Sequence, residues 1–458
     1  MRGGRFLSLG GAALVLLLQG HFILADIPVE PTSPDSLTEA GKTIIAPMWE
    51  FYLQNQTEGI PGKLTDTWYI AGAMFMTMIQ FWQVSGYDEH NAVVSHDMMF
   101  QSGRNNDYFD ANYSQWLGND DQMFWGLAAI TASEAGFPEV PDKPTWTSLA
   151  RAVCTMQIDR WDTRACDGGI TWQIHPWQAG YTLRNSISNG GLFQLAARLY
   201  RFTRNDTYAA WAEQIWDWSE SSPLIEPQIN WYVADSTSGD NDCKDSGDMQ
   251  WSYNYGTYLA GAAYMYNYTE EPKWLNRTQG LLRRLSNHFF PEEYGGNVFS
   301  EVACEKLHTC DRNMLNFKGW TSMWMAMTAN LVPQTRETIL PKLQGSAAAI
   351  GRQCDGGSDN LCGSRWYQDT WDGIQGLEVQ QAALGGITAN LMLLSDASAQ
   401  SIDSNPDAKE EYIDTSGGEE TPNSLPAIST GDRVGSWILT VLWGSGIVAA
   451  GWWLIKQQ

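Results

Sequence analysis

Two adjacent carboxylates offer the clearest chemistry in this chain. Asp120 and Asp121 stand in the run Gly118-Asn119-Asp120-Asp121-Gln122-Met123-Phe124-Trp125. Asn119 reads as the N-cap of a helix that continues through Leu127, Ala128 and Ile130. Acidic residues in a first helical turn have an ordinary explanation, because the unpaired N–H groups and the positive end of the helix dipole attract them. A second reading gives them work. Neighbouring helical side chains diverge by about 100°, yet their carboxyls can lie about 5–6 Å apart. That spacing suits double displacement at a sugar's anomeric carbon, where one group attacks and the other protonates the leaving oxygen. Like charges this close also push one pKa upward, as a general acid requires.

Such a pair needs a rigid frame. Apolar residues recur mostly at helical spacing and predict helices over 37–55, 68–84, 89–101, 119–135, 145–159, 187–203, 207–219, 252–268, 272–289, 317–330, 335–351 and 376–394. Strand-like alternation is sparse. Twelve helices of similar length fit six hairpins closed into a toroid, an all-α (α/α)6 barrel. Inner helices of such a barrel are buried on both sides, which suits Gly- and Ala-rich stretches such as Tyr258–Tyr264. Gly-Gly steps at 168–169, 190–191, 295–296 and 356–357 punctuate or follow loops. No linker-like break interrupts residues 36–395, so a single domain is expected there.

Both ends of the chain read as addresses. Arg2 and Arg5 precede an apolar run from Phe6 to Leu18, and Ala25 suits signal-peptidase cleavage, so residues 1–25 are expected to be a secretory signal. Residues 396–436 form a polar, acidic stalk, and residues 437–455 carry no charge before Lys456. That last stretch is long enough to span a bilayer. Preceded by Ser424, Ser429, Thr430 and Gly431, it also fits a glycosylphosphatidylinositol (GPI) signal, whereas Lys456 favours a retained span. Either way the globular part is expected outside, tethered to a membrane.

Secretion makes further residues legible. N-x-S/T sequons begin at Asn55, Asn112, Asn205, Asn267 and Asn276. Seven cysteines in an oxidising compartment should mostly pair, leaving one over. Closeness in sequence suggests Cys304 with Cys310 and Cys354 with Cys362, while Cys166 has two candidate partners, Cys154 and Cys243. There is no Cys-x-x-Cys pair, and His21 is one of only six His, so neither a structural metal nor a cofactor is expected. The 28 Lys and Arg against 52 Asp and Glu leave a net charge of −24. A nucleic-acid backbone binder needs the opposite balance. Tryptophan is abundant, 23 residues against 18 Tyr and 15 Phe, and flat rings with a polar N–H suit both cores and sugar faces.

Seven motifs stand in order along the chain: AGAMF (71–75), LGNDDQMFW (117–125), CDGGITWQI (166–174), NSISNGGLFQLAARLY (185–200), YNYG (253–256), FKG (317–319) and WDG (371–373). Their order covers about residues 37–394. Together they resemble glycoside hydrolase family 76, and within it the fungal, membrane-anchored mannan endo-1,6-α-mannosidases. The resemblance implies an (α/α)6 toroid with a groove across one mouth, Asp120 as nucleophile and Asp121 as acid/base. It implies mannan, a GPI-core glycan or wall glucan as substrate or acceptor, and hydrolysis or transglycosylation according to which hydroxyl resolves the intermediate. It also suggests Trp172 as a ring-stacking residue, Asn185 and Asn189 as hydroxyl binders, and Tyr255, Lys318, Trp371 and Asp372 along the groove. The family's cysteine pattern favours Cys166 with Cys243, leaving Cys154 unpaired.

Some positions depart from the family pattern. Tyr69 and Ile70 stand for its Trp and Glu, Leu183-Arg184 for its Tyr-Lys, and Thr171 and Met323 at positions where it often has Arg. The alternative to an enzyme is therefore a glycan-binding or wall-scaffolding paralogue on the same fold. A monomer is expected in either case.

Overall fold

The computed structural model describes residues 27–109, 115–357 and 359–395. The signal segment, Asn112, the stalk and the hydrophobic C-terminal segment lie outside the described residues. Among those described, twelve α-helices alternate between an outer and an inner ring. The outer helices are α1 (Pro34–Asn55), α3 (Asn91–Gln101), α5 (Trp146–Ile158), α7 (Asp206–Ser221), α9 (Pro272–His288) and α11 (Arg336–Gln353). The inner helices are α2 (Trp68–Ser85), α4 (Asn119–Ala135), α6 (Ser186–Thr203), α8 (Ser252–Thr269), α10 (Phe317–Leu331) and α12 (Leu377–Leu394). Inner helices pack in sequence, α2 on α4, α4 on α6, α6 on α8, α8 on α10 and α10 on α12, and α12 closes back on α2. This is the (α/α)6 toroid, and each expected helix is found with ends within about three residues.

Burial explains which helix goes where. Every residue of α8 from Asn254 to Met265 is buried, because neighbours surround it. In α9 only one stripe is buried, including Trp274, Thr278, Leu281 and Leu285, the spacing of a helix with one wet face. Two inner helices meet backbone to backbone: a Cβ on Gly319 of α10 would lie 2.5 Å from Ala382 Cα, and one on Gly385 of α12 would lie 2.8 Å from Gly319 O. Gly319→Ala is therefore expected to cost about 1–3 kcal/mol of stability through overpacking, readable as a lower denaturation midpoint with little change in m-value.

Loop length separates the two mouths. Connections from an inner to the next outer helix are short, as at 204–205 and 270–271, whereas those leading into inner helices are long, as at 159–185, 222–251 and 289–316. The long loops hold all three disulfides, Cys166–Cys243, Cys304–Cys310 and Cys354–Cys362, and Cys154 is free and buried in α5. They also hold the only strands among the described residues. β1 (Leu183–Asn185) pairs antiparallel with β4 (Ser236–Ser238), with Arg184 opposite Thr237, and β2 (Ile225–Glu226) pairs with β3 (Tyr232–Val233). Segments of two or three residues are too short to show alternation in the sequence.

Of the sequons, Asn205, Asn267 and Asn276 are exposed and Asn55 is half-buried. Asn205 also caps α7 by accepting from Thr207 N at 3.0 Å. No helix among the described residues is long and apolar enough to cross a membrane.

Candidate active site

The inner helices begin at the mouth that carries the long loops. Their first turns bring Tyr69 (α2), Asp120 and Asp121 (α4), Tyr253 (α8) and Phe317 (α10) to one cavity of about 340 Å³, with Asn185 at the N-cap of α6. Helix N-termini carry partial positive charge, so this mouth favours anionic groups.

The carboxylate pair is held from several sides. Gly118, rather than Asn119, is the N-cap of α4. Its N–H donates to Asp121 Oδ2 at 2.7 Å, so Asp121 closes the helix end while also lining the cavity. Asn119 is instead wholly buried and braces the neighbouring loop, its Nδ2 donating to Thr171 O at 2.8 Å. Arg160 donates to Asn119 Oδ1 at 2.7 Å and to Gln122 Oε1 at 2.6 Å, fixing the same turn from the opposite side. Asp120 accepts from Asp121 N at 3.0 Å, from Asn185 Nδ2 at 3.5 Å and from the indole N–H of Trp172.

Electrostatics couples the two carboxyls. Burial pushes Asp121 up to about 6, against the pull of the Gly118 N–H. Burial and the neighbouring Asp121 charge hold Asp120 well above the ordinary carboxylate range, with the Asp121 N–H and the Trp172 indole pulling the other way. The pair therefore keeps one proton above about pH 6, and loses it only as pH rises further. If one carboxylate attacks while the other donates a proton, this one-proton state is the active one. Activity should then rise with pH through about 6, where the doubly protonated form gives way, and fall when the last proton leaves. A kcat/KM profile checks this. In Asp121→Asn the alkaline limb should disappear, because a single carboxyl has no second proton to lose.

An aromatic wall faces the pair. Tyr253 and Phe317 stack with centroids 3.7 Å apart and planes 6° apart. Tyr69 lies 5.3 Å from Phe124, and its hydroxyl donates to Asn313 Oδ1 at 2.8 Å. A third carboxyl, Asp235, also lines the cavity. It accepts from Asn254 Nδ2 at 3.1 Å, and burial raises its pKa. Among the described residues no cluster of three His, Cys, Asp or Glu is placed to hold a metal ion.

The expected site residues divide. Asp120, Asp121, Trp172 and Asn185 are brought together at the cavity. Asn189, expected to bind hydroxyls, and Tyr255, Lys318, Trp371 and Asp372, expected along the groove, lie outside its lining and have protein partners. Asn189 is buried, with Ile170 N donating to its Oδ1 at 2.9 Å and its Nδ2 donating to Ile170 O and Asn185 O at 3.0 Å. Tyr255 is buried, its hydroxyl accepting from Val233 N at 2.9 Å and donating to Gln250 at 2.7 Å. Lys318 is buried against Glu305 at 2.6 Å and sits 4.1 Å over the Trp366 ring. Trp371 donates from its indole to Ile374 O at 3.0 Å, and Asp372 gathers the N–H groups of Ser364, Arg365 and Ile374 at 2.8–3.0 Å. These five hold helices and loops in place.

Helical phase explains two of the reassignments. Residues two apart on a helix point about 200° apart, so with Tyr255 in the core, Tyr253 of the same YNYG motif faces the cavity. Phe317 likewise lines the cavity while Lys318, the next residue, turns inward. Asp235 and Asn313 lie in loops and had no signal in the sequence.

The sequence matches the Glycosyl hydrolase family 76 profile over residues 36–402. It is 39% identical over 450 residues to mannan endo-1,6-alpha-mannosidase DCW1 of Candida albicans, covering 95% of this chain and 96% of the relative. With mannan endo-1,6-alpha-mannosidase DCW1 of Saccharomyces cerevisiae it shares 36% over 427 residues, 92% of this chain and 93% of that one. The crystal structure of Dfg5 from Chaetomium thermophilum in complex with glucosamine superposes with a TM-score of 0.77 at 34% identity, covering 88% of this chain and 99% of that one. An α-1,6-mannanase from Salegentibacter sp., at 16% identity and a TM-score of 0.63, shares the fold over 78% of this chain and 99% of its own.

Proposed function

Because the chain belongs to glycoside hydrolase family 76, we propose that it is a retaining, endo-acting α-1,6-mannosidase or transglycosidase that works on mannan or GPI-core mannose in fungal cell-wall biogenesis. The observation that carries this reading is the adjacent Asp pair at the foot of an aromatic cavity, with unequal hydrogen-bond support. Three donors converge on Asp120, from Asp121 N, Asn185 and the Trp172 indole. They pull against the burial and the Asp121 charge that raise its pKa. They so favour the one-proton form with the charge on Asp120, as a nucleophile needs, and the shared proton on Asp121. Asp121 receives one N–H, from Gly118, on Oδ2. Its other oxygen is available to protonate the glycosidic oxygen.

In the first step an Asp120 oxygen bonds to the anomeric carbon while the C–O bond to the leaving sugar breaks, and the Asp121 proton passes to that oxygen. In the second step Asp121 takes a proton from an incoming hydroxyl, whose oxygen displaces Asp120. Water gives hydrolysis; a sugar hydroxyl gives transfer. Asp235 and Asn313 supply polar partners for sugar hydroxyls, and Trp172 and Tyr253 supply flat faces for ring C–H groups. The net charge of −24 suits a neutral polysaccharide, which needs no electrostatic steering. Secretion and a C-terminal anchor would hold this mouth at the outer cell surface.

The test is to incubate the full chain with α-1,6-mannan and with a GPI-core glycan, each with and without an acceptor glucan. Shortened mannan or a glycan–glucan conjugate is expected, and Asp120→Asn and Asp121→Asn should make neither. If the wild type is as inert as both variants while glycan binding persists, the protein is a binding paralogue and the enzymatic reading fails.

A further inference from the structure

Behind the aromatic wall of the carboxylate cavity lies a buried carboxyl that does not line it. Tyr253 stands in the first turn of α8, whose N-cap residue, Trp251, makes no side-chain cap. Glu301, from the long loop 289–316, supplies one instead. Its Oε1 accepts from Ser252 N at 3.0 Å and its Oε2 from the Ser252 hydroxyl at 2.5 Å. Glu301, Ser252 and Thr321 are wholly buried, and none of the three lines the cavity.

The contacts continue into α10. Thr321 Oγ1 lies 3.4 Å from Ser252 Oγ and donates to Phe317 O at 2.8 Å. One chain of polar contacts thus runs from Glu301 through Ser252 and Thr321 to Phe317, and joins the backbone behind both rings of the Tyr253–Phe317 stack. Glu301 is itself fixed, its carbonyl accepting from Cys304 N at 3.1 Å and Glu305 N at 3.0 Å in a turn closed by the Cys304–Cys310 disulfide. The same loop carries Asn313, the partner of the Tyr69 hydroxyl.

We propose, on the reading of the cavity as a mannan site, that Glu301 is a positioning residue that sets the spacing and tilt of the Tyr253–Phe317 face against which a mannose ring packs. A buried carboxyl adds little net stability over an apolar side chain of its size. Two bonded oxygens do fix both the position and the rotation of the first turn of α8. Asp120 and Asp121 belong to α4 and are held by Gly118, Asn185 and Trp172, so loss of Glu301 falls on sugar binding rather than on the carboxylate pair. Burial raises Glu301 to about 8, so its carboxyl is uncharged at neutral pH. A glutamine reproduces that form, its amide oxygen accepting from Ser252 N and its amide nitrogen donating to Ser252 Oγ.

The test compares the full chain with Glu301→Leu and Glu301→Gln, by calorimetric affinity for α-1,6-mannotriose and by KM and kcat on α-1,6-mannan. Glu301→Leu is expected to weaken affinity and raise KM about tenfold, the scale of one lost ring contact. Its kcat should stay within about twofold, and Glu301→Gln should restore both affinity and KM. A merely structural role would lower the thermal midpoint and leave the affinity of the folded fraction unchanged, which overturns the proposal. Equal losses in Glu301→Leu and Glu301→Gln also overturn it. Ser252→Ala keeps the helix N–H, removes the hydroxyl link and covers the case in which Glu301→Leu fails to fold. It should weaken affinity about threefold, the scale of one hydrogen bond, and unchanged affinity there overturns the proposal too. Affinity is readable without turnover: a wild type that binds mannotriose and cleaves nothing denies the enzymatic reading alone, and the affinities still decide on Glu301. A wild type that binds none removes the mannan site and this role together.

Discussion

Asp120→Asn is expected to lower turnover of α-1,6-mannan by about 10⁴–10⁶-fold, the scale seen when a covalent nucleophile is removed, while the folded protein persists. The carboxyl sits where burial and the Asp121 charge both oppose its ionisation. An amide in its place relieves that opposition, so the thermal midpoint should hold or rise. The Asn185 and Trp172 donors keep an acceptor in the carboxamide oxygen. Asp121→Asn should cost less, about 10²–10⁴-fold, the usual contribution of general acid–base catalysis. The loss should shrink on a mannosyl fluoride, whose leaving group needs no proton in the first step. Equal losses on mannan and fluoride would deny Asp121 the acid role. A collapsed thermal midpoint in both variants would reduce the pair to a helix cap.

Lys318→Met is expected to have the largest effect on stability. Lys318 and Glu305 form an ion pair in which both side chains are almost wholly buried. Removing one partner leaves an uncompensated charge in the core, a loss of about 3–5 kcal/mol. The double variant Lys318→Met with Glu305→Leu should recover much of it, since replacing both charges by apolar groups removes the desolvation penalty. Urea unfolding measures both. The folded fraction of Lys318→Met should keep its KM for mannan, because the ammonium lies outside the cavity. A raised KM with unchanged stability would instead return Lys318 to the substrate groove.

The twelve helices were legible because each carries a periodic apolar pattern long enough to read. Inner α8 and outer α9 differ in how much of the circumference is apolar, and that difference sorts them into rings. The Asp pair was legible because it sits in the first turn of a well-marked helix. The cavity wall was harder. The motifs mark segments rather than faces: Tyr253 and Phe317 line the cavity, while Tyr255 and Lys318 of the same stretches lie outside its lining. Asp235 and Asn313 sit in loops whose geometry depends on a three-residue strand pair and a disulfide-closed turn, neither of which has a local pattern. The tryptophans divide in the same way. Trp125, Trp146, Trp216, Trp274, Trp320, Trp324 and Trp366 are wholly buried, while Trp172 lines the cavity with its N–H on Asp120.

The central claim is that Asp120 forms a bond to the sugar. A slow-turnover fluorinated α-mannosyl fluoride, incubated with the wild-type chain and followed by peptide mass mapping, reads that bond directly. A single fluoromannosyl adduct on Asp120, absent from Asp120→Asn, is the predicted result. An adduct on Asp121 or Asp235, or turnover that inverts anomeric configuration with no adduct at all, would contradict it.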